Sequence, residues 1–303
     1  MAIDRGRYHG WQGELGSPWR GTLALVRVSL VQLFRRKLYW GVLAACLVQF
    51  VFFFLAIYAV TQTQLPPQVQ QRVLEVFGFA SSAGPAAASA AASHENGYTL
   101  FIERQSLVVM ILLAFSGSLL VGSDFRNEAL PFYLSRRIDR KHYVAGKVLS
   151  VATVVSLLTT LPALILFVEF GLFTGSIDYW LENWRIPLAV LVYGSVLCLV
   201  LGVLLVTVSA YLVRSAPIAI VWSSLFLLLR RLAVYLHGET GEDHWRLLDP
   251  WFDIHEVGRM LFFPPTSHDE RHIARLAAAL LVVVCGACLV ALSRRVRAVE
   301  VVV

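Results

Sequence analysis

Six apolar runs, at 38–60, 105–122, 148–170, 187–213, 216–236 and 273–292, decide what this chain can fold into. Each holds about 18 or more residues, the length at which a helix crosses the hydrocarbon of a bilayer. Lipid offers no water to backbone N–H and C=O groups, so runs of this kind close their hydrogen bonds internally as helices. The expected fold is therefore an all-α integral membrane protein of six transmembrane helices. Composition agrees, since 57% of the 303 residues are hydrophobic and 15% are charged, against about 25% charged in a soluble domain. The second run is limited at its start by Glu103 and Arg104. The fourth and fifth are separated only by Arg214, Ser215 and Pro217, which reads as a tight turn between antiparallel helices.

An even number of spans puts both termini on one side, and the Lys and Arg residues say which. Seventeen lie in the N-terminal segment, the second-to-third loop, the fourth-to-fifth turn and the C-terminus, against six in the opposite loops. Basic flanks stay in the cytoplasm, so the expected topology is N-in and C-in. These basic residues flank apolar runs instead of forming a soluble patch, so the net charge of +6 does not point to nucleic acid. No cleavable signal peptide is apparent before the first run, which is expected to remain as an anchor. The organisation is a cytoplasmic N-terminus, 1–37, followed by a transmembrane domain, 38–303.

Residues 17–37 read as an amphipathic helix lying in the cytoplasmic interface. Ser17 can cap it, Pro18 suits its first turn, and Leu23, Val26, Leu30 and Phe34 form one apolar stripe. Arg20, Arg27, Arg35 and Arg36 would meet lipid headgroups. The alternative is a juxtamembrane basic segment that only sets topology. Residues 78–93, rich in Ala, Ser and Gly, read as a flexible stretch of the first outer loop. Small residues at four-residue spacing mark smooth helix faces: Ala114, Ser118 and Gly122 in the second span, and Gly194, Cys198 and Gly202 in the fourth. They suit packing within the chain or a dimer interface.

The second-to-third loop, 123–147, mixes apolar anchors with charges of both signs, as a short helix docked on a protein partner would. Here the sequence resembles the permease subunits of type 2 ATP-binding-cassette (ABC) transporters. The matching residues are Asp124 and Glu128, then Leu130 and Leu134, then Ser135 to Arg140, and finally Gly146 and Lys147 opening the third span. The Gly-Thr turn common in that family is absent, and Ser135-Arg136 replaces its usual small residue and proline. The resemblance implies that the entry helix and this loop contact a separate ATPase subunit, through Asp124, Phe125, Arg126, Glu128, Leu130, Leu134, Arg136, Arg137, Arg140, Gly146 and Lys147. It further implies a second permease chain, identical or not, and an export function in a bacterial plasma membrane. ATP and magnesium belong to the partner, with no cofactor in this chain.

The chain's own chemistry is consistent with needing such a partner. A P-loop requires G-x-x-x-x-G-K-[ST], but Gly146-Lys147 is followed by Val148 and has Lys141 where the first glycine should stand. Intramembrane charge is sparse, which argues against ion-coupled transport. Glu169 near one end of the third span could pair with Arg230-Arg231, or these arginines could snorkel. Cys285 and Cys288 have C-x-x-C spacing but no basic neighbour to stabilise a thiolate, and read as packing thiols. The outer segment 237–272 carries five of eight histidines and several aromatic residues. His268 and His272 have metal-pair spacing in surroundings that favour no metal site. A membrane-bound enzyme or assembly factor using this segment, or a structural anchor for a cytosolic partner, are the competing functions.

Overall fold

The computed structural model describes residues 17–62, 66–78, 90–127, 129, 139–175, 177–263 and 268–296, which are helical almost throughout, with no strand among them. Six helices are long and apolar enough to cross a membrane: Tyr39–Gln62, Asn96–Arg126, Arg140–Thr174, Arg185–Leu212, Ser215–Thr240 and His268–Arg295. All six expected runs are present, and most extend beyond their apolar limits.

A helix α1 (Pro18–Phe34) precedes the first span, α2 (Lys37–Gln62), and α3 (Pro67–Val76) follows it. The second span is α4 (Ala90–Gly117), continued by a π-helical turn, Ser118–Gly122, and a closing turn, Ser123–Arg126. Residues 90–93, expected in a flexible stretch, are already helical; residues 79–89 lie outside the described residues. The third span is broken into α5 (Arg140–Leu158) and α6 (Thr160–Thr174) at Thr159, whose φ and ψ are −116° and −62°. Pro162 lacks the N–H that would bond back to Leu158, so the ladder is interrupted there.

After a short α7 (Ile177–Glu182), α8 (Arg185–Leu212) forms the fourth span and the most enclosed helix of the bundle. Leu197, Leu201 and Leu205 on it are fully buried. The expected turn follows at once: Val213 takes a positive φ of 59°, uncommon for a β-branched residue, and α9 starts at Ser215. The fifth span runs from α9 (Ser215–Ser223) through a second π turn, Ser224–Leu228, into α10 (Leu229–Thr240). A 3₁₀ segment, Asp243–Leu248, and α11 (Pro250–Phe262) lead to the sixth span, α12 (His268–Arg295).

One apolar core runs through the bundle, with Trp222, Phe53, Phe101 and Tyr193 among its fully buried side chains. Buried polar groups inside it find partners across helices: Trp222 Nε1 donates to the Met110 carbonyl at 3.0 Å, and Gln105 Nε2 to that of Cys46 at 3.2 Å. The first, fifth and sixth spans leave most of their apolar surface open, for example Leu47, Phe52, Ile220, Val282 and Val283. Such a girdle suits lipid chains and would be costly in water.

Candidate functional site

The helices do not simply end where the apolar runs end. The π turn accommodates one extra residue in the second span, and beyond it Asp124 sits buried at the end of that helix. Lys147, two turns into α5, comes to meet it, with Nζ 2.7 Å from Asp124 Oδ2. Tyr143, one turn earlier on the same face of α5, donates its hydroxyl to the same oxygen at 2.9 Å. Lys147 also donates to the Leu120 carbonyl at 2.6 Å and to Ser29 Oγ at 3.2 Å. An ammonium group has three donors, and all three have acceptors.

This pair joins three elements at one end of the bundle: α1 through Ser29, the second span through Leu120 and Asp124, and the third through Tyr143 and Lys147. Gly146 brings α1 and α5 together, since a Cβ there would lie 3.2 Å from Leu25 and 3.3 Å from Thr22. Trp19 completes the contact, edge-on to His142 with ring centroids 5.2 Å apart. The buried face of α1 is Thr22, Leu25, Val26, Ser29 and Leu33. Of the expected stripe only Val26 is buried; Leu30 and Phe34 are half-buried and Leu23 is exposed. The stripe is rotated because two members of the buried face are polar, one of them the hydroxyl that receives Lys147. The four arginines Arg20, Arg27, Arg35 and Arg36 are all exposed.

Beside the pair lies an open groove of about 590 Å³, lined by Gln32, Arg35, Arg36, Ser123, Arg126 and Asn127, among others, with Asp124 at its base. Lys147 already answers the Asp124 charge, so the three arginines leave the groove electropositive. Of the residues that the resemblance assigns to ATPase contact, Arg126 and Arg140 are exposed, and Phe125 packs against the core. Asp124, Gly146 and Lys147 face inward, where they organise the ends of the loop instead of presenting a surface. Glu128, Leu130, Leu134, Arg136 and Arg137 lie outside the described residues. Tyr143 and Ser29, which the sequence did not single out, complete the site. Ser29 carries no apolar signal, because the face it occupies also holds Thr22.

The small-residue faces pack within the chain. A Cβ at Gly122 would come within 2.5 Å of the Val213 carbonyl oxygen, one at Gly194 would meet the Thr160 side chain, and one at Gly202 would lie 3.1 Å from Val148. Gly117, one residue before Ser118, approaches Ser209 in the same way, while Ala114 is buried and Cys198 donates its thiol to the Ala152 carbonyl. At the other end of the bundle, Glu169 is buried with neither carboxylate oxygen partnered, and Arg230 and Arg231 are exposed without an ion pair to it. Cys285 and Cys288 are free thiols.

The segment between the fifth and sixth spans holds a second polar cluster. Asp249 caps α11, its Oδ1 accepting the Trp251 N–H at 3.0 Å, with Pro250 opening the helix. One turn on, Asp253 is fully buried and neither of its oxygens has a hydrogen-bond partner. Burial, reinforced by the nearby Asp249 charge, pushes its carboxyl up to about 8. His255 is pushed down to about 3 by burial and by Arg230, and its Nδ1 meets the Tyr193 hydroxyl. Gly258 lets α11 lie flat on the Tyr193 ring. His268 and His272 are exposed at the start of α12, and the His272 ring lies edge-on to that of His244, centroids 6.1 Å apart. Among the described residues no cluster of three or more His, Cys, Asp or Glu is arranged to hold a metal. The sequence matches no protein-family model and no curated protein.

Proposed function

We propose that this chain is the membrane-spanning permease subunit of an ATP-driven transporter of the ABC class, an exporter working as a dimer with a separate cytosolic ATPase. It lies N-in and C-in in a bacterial plasma membrane, with α1 in the cytoplasmic interface. The observation that carries the reading is the Asp124–Lys147 pair. It ties both ends of the 123–147 loop to each other and to α1, so a push on the loop reaches three elements of the bundle as one lever. The groove beside it, rimmed by Arg35, Arg36 and Arg126, offers an electropositive seat for an acidic segment of the ATPase. ATP binding and closure by the partner would press on loop and entry helix together, and the spans would rock to change access between the two permease chains.

A second reading, an assembly factor or enzyme using residues 237–272, draws on Asp253, whose buried, unpartnered carboxyl resembles the perturbed acids of functional sites. The discriminating experiment is purification of the tagged chain from its native membrane in mild detergent, with stoichiometric partners identified by mass spectrometry. The expected result is an ATP-binding subunit that is lost on Arg35→Glu/Arg36→Glu or on charge reversal at Arg136 and Arg137. Recovery of no ATPase, even after cross-linking, would overturn the transporter reading and favour the outer segment.

A further inference from the structure

A trough of about 850 Å³ opens between the start of α5, the second half of α8 and the end of α12. Its walls are apolar, with Val144 and Val148 from α5, Leu199 and Val203 from α8, and Leu289 and Leu292 from α12. At one end stand Arg140 and Lys141, both exposed, beside Asp139 and Ser293. Asp139 has His142 3.8 Å away, whereas neither Arg140 nor Lys141 forms an ion pair with a described residue. The trough thus has a long apolar body and a cationic end.

All three walls belong to membrane-crossing helices, so the body of the trough opens toward lipid chains. A peptide laid there would carry backbone N–H and C=O groups into a wall that offers no partners. A small soluble anion would meet the two cations but gain nothing from the apolar body. An amphiphile with an anionic head satisfies both parts, and a zwitterionic head less well, because its own cation opposes Arg140 and Lys141. We propose that this trough holds one anionic phospholipid, with an acyl chain along Val148, Val203 and Leu289 and its phosphodiester at Arg140 and Lys141. It is a resident lipid and not cargo, and the assignment is independent of the transporter reading because the trough and its charges stand whatever the chain transports.

The test is native mass spectrometry of the delipidated full chain given equal amounts of phosphatidylglycerol and phosphatidylcholine. The wild type is expected to retain one phosphatidylglycerol with roughly tenfold preference, as two basic contacts near a membrane surface allow. Arg140→Gln/Lys141→Gln should abolish the preference. Ala145→Trp, which fills the trough and leaves both cations in place, should remove the bound lipid; Leu289→Trp repeats that test from α12, where the side chain is half exposed. Equal retention of the two lipids overturns the proposal, as does retention in both tryptophan variants, which would mean charge alone suffices. Displacement by millimolar inorganic phosphate would assign the cations to a free anion. Lipid uptake only after a dimer dissociates, or only after removal of residues 297–303, would give the trough to a second copy or to the chain's own end.

Discussion

Replacing Lys147 with Met removes the ammonium that bridges three helices while keeping the length and bulk of the side chain. Asp124 would then keep only the Tyr143 hydroxyl as a donor, and Ser29 and the Leu120 carbonyl would lose theirs. Both side chains are nearly sealed, 4% and 10% exposed, so the surviving carboxylate recovers little of its solvation from the groove beside it. Breaking a buried pair from one side costs about 3–5 kcal/mol, whereas replacing both members by apolar groups is often close to neutral. At about 2–4 °C per kcal/mol for chains of 150–250 residues, the single variant should lose about 6–20 °C in Tm. Lys147→Met combined with Asp124→Leu should regain most of that loss, a coupling energy of about 2 kcal/mol or more in the double-mutant cycle. The assay is thermal unfolding in one detergent, read by loss of the monodisperse chromatographic peak. A Lys147→Met variant within about 1 °C of the wild type, or losses that simply add in the double variant, would refute the idea that the pair holds this end of the bundle.

Gly122→Ala places a methyl group 2.5 Å from the Val213 carbonyl oxygen, and the backbone there must move, at a cost of about 1–3 kcal/mol; the same unfolding assay should show it, while Gly286→Ala, with open space around it, should not. Asp253 supplies a pH signature. Its carboxyl is raised to about 8 in the folded chain, so the folded state binds the extra proton and stability should fall as pH rises toward 8. His255, depressed to about 3, acts with the opposite sign, its stabilisation being lost as pH falls below its ordinary value near 6.5. Between pH 6.5 and 8 the Asp253 effect therefore stands with little opposition from His255. Asp253→Asn should flatten the Tm–pH curve in that window and be more stable than the wild type at pH 8; parallel curves would show that Asp253 is not the titrating group.

The six spans were legible because hydrocarbon imposes one requirement, length without charge, and the sequence meets it six times. Their ends were less legible for the same reason. An apolar-run criterion stops at the first charge, so it closed the second span at 122 and opened the third at 148, leaving Asp124 and Lys147 in a loop. The helices continue because each charge is answered by the other, across 22 residues of sequence that no local pattern connects. The stripe on α1 failed in a related way: a search for apolar periodicity passes over Ser29, although its hydroxyl is what makes that face the buried one. The tight turn after the fourth span was readable from Arg214, Ser215 and Pro217, but not the glycine that accommodates it, because Gly122 lies on another helix. The buried state of Asp253 depends on α11 lying against α8, which only tertiary packing determines.

The π turn at Ser118–Gly122 makes the end of the second span a matter of phase. A π turn carries one residue more than the regular helix has room for, and each residue of an α-helix turns the chain by about 100°. Were that surplus passed along to the end of the helix, Asp124 would turn by about 100° and move about 1.5 Å along the axis, away from Lys147. The angle at which the second span ends is therefore set by helical phase, and the ion pair marks the phase at which Asp124 meets Lys147.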